Sequence, residues 1–167
     1  NVYILPCGLS DTARDAMLHT PVKTQGSLGY GLAFVGETAG TTRALVSDSI
    51  TLSTVDQVAD MLALKRLDFV KADIEGTELS MLEGAHQTLV SLAPTLYLEV
   101  DDDCLARNGH TGRDLLAYLE ALGYTQVLAV DETSGTMAAA SFGEATPIRG
   151  NFLFPSPRRP APTIPSP

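Results

Sequence analysis

Leu67-Asp68-Phe69-Val70-Lys71-Ala72-Asp73-Ile74-Glu75-Gly76-Thr77-Glu78 is the stretch that decides the fold. An apolar run turns acidic at its end, breaks at Gly76 and continues as the helix-like Leu79-Ser80-Met81-Leu82-Glu83-Gly84-Ala85. The pattern predicts a strand over residues 68–74 and a helix over residues 77–92, stopped by Pro94. Open α/β sheets bind their ligands at such strand–helix turns. Side chains alternate along a strand, so Lys71, Asp73 and Glu75 are expected on one side, with Val70, Ala72 and Ile74 on the other.

The flanking sequence repeats the alternation of strand and helix. Residues 2–9 read as a buried strand ending at the turn-prone Ser10-Asp11. Gly26, Gly29, Gly31, Gly36 and Gly40 then surround short apolar pieces, as in a hairpin or a wandering loop. Residues 43–52 read as a strand. Thr54 and Gln57 stand in capping-box order before a short helix with Val55, Val58, Met61 and Leu62 on one face. Residues 95–100 form another apolar strand with an acidic end. A helix opens at Thr111 and closes at Gly123, where a C′ glycine belongs. Residues 126–130 and 151–154 read as strands with no helix between them, so an antiparallel pair at one edge is expected.

Strands alternating with helices predict a mostly parallel sheet with helices on both faces. The chain has 167 residues, enough for one domain with a real core. That domain is expected over residues 1–154. The proline-rich residues 155–167 read as a disordered tail, with Arg158 and Arg159 solvated or, as the alternative, docked on an acidic surface.

The bulk properties narrow the function. A formal charge of −9 argues against nucleic acid, since a phosphate backbone rewards a basic patch. No stretch reaches the ~18 apolar residues of a membrane span. Cys7 and Cys104 match no zinc or redox spacing and read as structural thiols in a reducing compartment, hence a cytoplasmic protein. No Gly-x-Ser-x-Gly elbow supports a hydrolase. His110 lies in a loop near the acidic strand end, as a base, a substrate contact or simply an exposed side chain.

The carboxylates carry the functional reading. Two buried acids cost several kcal/mol unless they are paired or hydrogen-bonded. A purely structural account has Lys71 paired with Asp73 and Glu75 or Glu78 stabilising the following helix. The functional account rests on Glu99, followed by Asp101, Asp102 and Asp103, at the end of the next strand: two neighbouring strands ending in acids mark a site. Three roles stay open: general base toward a hydroxyl, ligand of a hard cation, or hydrogen-bond partner of a sugar or cofactor. No metal-binding motif is spelled out.

Lys71-x-Asp73-x-Glu75-Gly76-x-Glu78-Leu79, with Leu82-Glu83-Gly84-Ala85 behind it, resembles the FkbM family of S-adenosylmethionine-dependent methyltransferases. Weaker similarity extends from Asn1 to about Phe154, with Ser53 standing where the family usually has Asp. The resemblance implies a class I methyltransferase (Rossmann-like) sheet and methyl transfer to a hydroxyl of a sugar or natural product. It implies Asp73, Glu75, Lys71 and Glu99 as catalytic residues and Asp11 beside the cofactor, with a small-molecule or glycan hydroxyl as partner.

The family's glycine-rich cofactor loop is not in this chain. The resemblance places it, with the acid that holds the ribose, in two βα units of roughly 30 residues each ahead of Asn1. Two arrangements are then expected: residues 2–9 pair directly with residues 68–74, or the amino-terminal segment stands apart from that sheet. The alternative function is a non-catalytic α/β module whose acidic rim binds a partner or a cation.

Overall fold

The computed structural model describes residues 2–38, 43–142 and 146–159. Two sheets organise it. Strands β1 (Gly8–Leu9), β2 (Arg14–Pro21) and β3 (Leu45–Ser53) form a three-stranded sheet in the order β1-β3-β2. Helix α1 (Val55–Met61) leads to β4 (Phe69–Ala72), followed by α2 (Glu78–Glu83), α3 (His86–Leu92) and β5 (Thr95–Asp101). Then come α4 (Asp102–Leu105), α5 (Gly112–Ala121), β6 (Leu128–Asp131), β7 (Thr136–Ala139) and β8 (Arg149–Phe154). The second sheet has the order β4-β5-β8-β6-β7. β4 and β5 are parallel, while β8 runs antiparallel to both β5 and β6. The architecture is mixed α/β.

Local chemistry explains the helix ends. Thr54 accepts the Gln57 N–H at the start of α1. Thr111 and Asp114 form a reciprocal capping box on α5, and Gly123 follows that helix with φ of +93°. Asp56 in α1 accepts the N–H groups of Gln87 and Thr88, so α1 caps the start of α3.

The core lies on one face of the five-stranded sheet. Leu96, Leu98 and Val100 of β5 are fully buried with Phe152 and Phe154 of β8 beside them. Leu79, Leu82, Leu89, Leu115 and Leu119 from the helices pack into the same cluster. The opposite face carries Lys71, Tyr97, Glu99 and Asn151, and none of these joins the core. The main apolar cluster of the described residues therefore lies on one face of this sheet, with Leu153 buried on the other.

The amino-terminal expectation also changes. Val2, Tyr3 and Ile4 are more than 80% exposed, and only Gly8 and Leu9 pair, in parallel with β3. Pro6 has no N–H to donate and interrupts the run. Of the two expected arrangements, the structure has the amino-terminal strand apart from β4.

Other boundaries moved for tertiary reasons. Residues 77–92 form two helices that part at Gly84 and Ala85, and at Gly84 a Cβ would fall 2.0 Å from the Ser10 carbonyl oxygen. Helix α1 ends at Met61, left 64% exposed, and Ala63 is left-handed with φ of 49°. β2 and β7 were not anticipated. β8 lies inside the sheet and β7 takes the edge.

Residues 155–159 are docked, unlike the solvated tail expected there. Pro155 and Ser156 are buried, and the Ser156 hydroxyl donates to the Ala93 carbonyl at 2.5 Å. Arg158 donates to the Val90 and Ser91 carbonyls at the end of α3, and Arg159 pairs with Asp68. Free carbonyls at a helix C-terminus attract such cations. Residues 160–167 lie outside the described residues.

Candidate active site

The turn after β4 is held by a buried acid. Glu78 is 2% exposed, and its carboxylate accepts the Ile74 N–H at 3.0 Å and the Gly76 N–H at 3.1 Å. Burial pushes its carboxyl above the ordinary range, with the backbone N–H groups acting against that shift. Glu75 is left-handed, with φ of 56°, and Gly76 follows with φ of 104°. A left-handed non-glycine residue costs roughly 1–2 kcal/mol. Glu78 offsets this by fixing the amides on either side. Gly76 is required by proximity as well, since a Cβ there would fall 2.2 Å from the Cys104 carbonyl oxygen.

The turn borders a cleft of about 330 Å³ facing the three-stranded sheet. Leu9, Leu18, Phe34, Val35, Ile50 and Leu52 give it an apolar wall. Ser10, Asp73, Glu75 and Thr77 also line it. Ser10 is buried, Glu75 and Thr77 are half-buried and Asp73 is exposed; an apolar wall with a few polar groups is the composition expected of a small-molecule site.

The structure sorts the expected site residues by position. Asp73 and Glu75 both line the cleft. Glu99 does not line the cleft but shares a side-chain hydrogen bond with Asp73, which does. Burial first, then a hydrogen bond and charge from Asp73, push the Glu99 carboxyl up to about 7. Lys71 pairs with Asp73 at 3.2 Å and lines a second cleft, between β4 and residues 7–9. Asp11 lies outside the 330 Å³ cleft. The Ser10 hydroxyl and Arg14 hold it, and its carboxyl is lowered by those same groups, Ser10 first. His19, His86 and His110 do not line the cleft.

The alternation expected of Lys71, Asp73 and Glu75 ends at Ala72, the last residue of β4. Glu75 is placed by its left-handed turn. Its carboxylate faces Arg107 at 3.9 Å and accepts from the Cys104 thiol at 3.5 Å. Burial pushes that thiol up to about 12, which makes it a poor nucleophile. Cys7 and Cys104 are both free.

Arg107 and Asn108 were not anticipated. They follow α4 in a 3-10 turn with no motif, and only the fold brings them to the carboxylates. Among the described residues, no group of three His, Cys, Asp or Glu side chains is placed to hold a metal ion, and no helix is long and apolar enough to cross a membrane.

A family model described as Methyltransferase FkbM domain matches residues 7–125, more than half of the chain. The match includes the carboxylate turn, the cleft and the segment that carries Arg107 and Asn108. No curated protein and no solved structure matches the chain.

Proposed function

The chain belongs to the family of FkbM methyltransferase domains, and from that membership we propose methyl transfer from S-adenosylmethionine to a hydroxyl of a sugar or natural product. The observation that carries the proposal is an apolar cleft lined by Asp73 and Glu75, with Glu99 beside Asp73. The reading as a class I methyltransferase sheet is supported by the parallel β4 and β5 and the antiparallel last strand between β5 and β6.

Asp73 and Glu75 of this cleft are the residues that would hold the reacting end of the cofactor, whose sulfonium would supply an electrophilic methyl group. A cation is favoured beside Asp73 and Glu75, and the apolar wall excludes water. An acceptor hydroxyl held against Asp73 loses its proton to Asp73 and Glu99 as its oxygen bonds to the methyl carbon. The bound cofactor would release the methyl group and keep the electron pair of the carbon–sulfur bond on sulfur, so charge would balance. A carboxyl group titrating near the operating pH is suited to take that proton. Glu75 serves as the second anionic wall, with Arg107 behind it.

Calorimetric titration of S-adenosylmethionine tests the proposal, with this chain and with one extended at the amino terminus. Binding by the extended chain, with transfer of labelled methyl to a hydroxyl panel, is the expected result. Asp73→Asn should then lower the transfer rate by about 100-fold or more, the scale of a lost general base. Absence of binding by both chains would overturn the proposal and favour a non-catalytic module.

A further inference from the structure

No strand of the three-stranded sheet pairs with a strand of the five-stranded sheet, yet the cleft is built from both. Something must fix the distance between the Phe34 wall and the carboxylate turn. Arg107 and Asn108 lie behind that junction and touch both sides.

The Arg107 guanidinium stacks over the Phe34 ring, 4.6 Å from its centroid. The same group donates to the Glu75 carbonyl at 3.4 Å and faces the Glu75 carboxylate at 3.9 Å. Its own carbonyl accepts the Glu37 N–H at 3.2 Å. Asn108 repeats the bridge with its amide, donating to the Val35 carbonyl at 3.2 Å and the Gly76 carbonyl at 3.0 Å. Gly36 lets the wall approach, since a Cβ there would fall 2.8 Å from the Asn108 side chain. Phe34 itself is 3% exposed.

We propose that Arg107 is a positioning residue of this site: one guanidinium sets Glu75 and the Phe34 wall at a fixed separation. The inference rests on the methyl-transfer reading for its catalytic meaning. Its geometry is independent of that reading. Guanidinium suits the task because it is planar: its face covers the ring while its edge donates to Glu75. A lysine ammonium keeps the charge and cannot do both. Preorganised walls matter because a misplacement of about 1 Å can cost on the order of 100-fold in rate.

The test compares Arg107→Met and Arg107→Lys with the parent chain. NMR follows the Glu75 carboxyl carbon, the Phe34 ring protons and exchange of the Glu37 amide. With Met, both side-chain signals should shift and Glu37 exchange should rise by about tenfold or more, as local opening becomes easier. With Lys, the Glu75 signal should stay near the parent value while the Phe34 ring signal moves as it does with Met. In a chain that transfers methyl groups, Met should lower the rate at least about tenfold and leave the cofactor Kd within about twofold.

Unchanged Glu75 and Phe34 signals in a folded Met variant would overturn the inference, as would an unchanged transfer rate. Should the Met variant fail to fold, the Lys variant decides: a ring signal that stays in place overturns the proposal. Failure of S-adenosylmethionine to bind would sink the methyl-transfer reading and leave the NMR result readable.

Discussion

The two sheets are held together by different physics. In the five-stranded sheet, alternate residues of β5 are fully buried against helices and β8, and one contiguous apolar cluster fills the space. In the three-stranded sheet, most of β3 is exposed, and Leu52 is its one buried residue. That sheet is held by backbone pairing, by the close approach of Gly84 to Ser10 and by the bridge from Arg107 and Asn108. The candidate site lies between the two. The well-packed partner fixes the carboxylates, and the lightly held partner supplies the wall.

The largest expected difference is in the response to truncation. Leu98→Ala opens a cavity among fully buried neighbours and should cost about 2–5 kcal/mol. Val46→Ala, at a position 40% exposed in β3, should stay within about 0.5 kcal/mol. Urea denaturation of both variants measures this. Equal losses would break the contrast between the sheets.

The next expected effect isolates their junction. Gly84 has φ of −72°, an ordinary helical value, so propensity alone predicts that Gly84→Ala stabilises by roughly 1 kcal/mol. Packing predicts the reverse, because the new Cβ would sit 2.0 Å from the Ser10 carbonyl oxygen. A backbone atom cannot rotate away, so packing should win by about 1–3 kcal/mol. The loss should appear first as faster exchange at Ser10, whose N–H donates to the Ser53 carbonyl. A more stable variant with Ser10 exchange unchanged would show that the two units are not pressed together there.

What could be read in the sequence follows the same division. β4, β5 and α5 were legible because their signals are local: an apolar run, a capping box at Thr111, a glycine at 123. The acids that gather at the turn were legible for the same reason, as was the Lys71 pairing with Asp73. The left-handed Glu75 was not, since nothing in residue type announces it and Glu78 imposes it from a buried position. Arg14-Asp15-Ala16-Met17 does not look like a strand; it becomes one by pairing with residues 49–52. The close approach at Gly84 involves Ser10, more than 70 positions away. Docking of Ser156 and Arg158 depends on the end of α3, while proline content argued for disorder. Glu75 apart, each of these misses is a contact between distant segments, and Arg107 is the one that matters most for the site.

The smallest expected effect concerns Glu99, at the edge of the well-packed unit. Its carboxyl is pushed up to about 7 by burial first, then by Asp73, Glu75 and Glu78. An unfolded glutamate titrates near ~4.3. Between these values the folded chain keeps a proton that the unfolded chain has released. Glu99 therefore contributes stability that is fully present below the unfolded value and is lost as pH rises through about 7. Glu78 is also raised by burial and slopes the same way. Asp11, Asp68, Asp114 and Asp131 are lowered, so their contributions are lost only at more acid pH. Melting temperatures from about pH 5 to pH 8 should thus fall less in Glu99→Gln than in the parent chain. Glutamine keeps the shape and removes the titration, so the difference between the two curves belongs to the Asp73–Glu99 pair. Superimposable curves would assign the slope to Glu78 and leave Asp73 as the sole candidate for the proton acceptor.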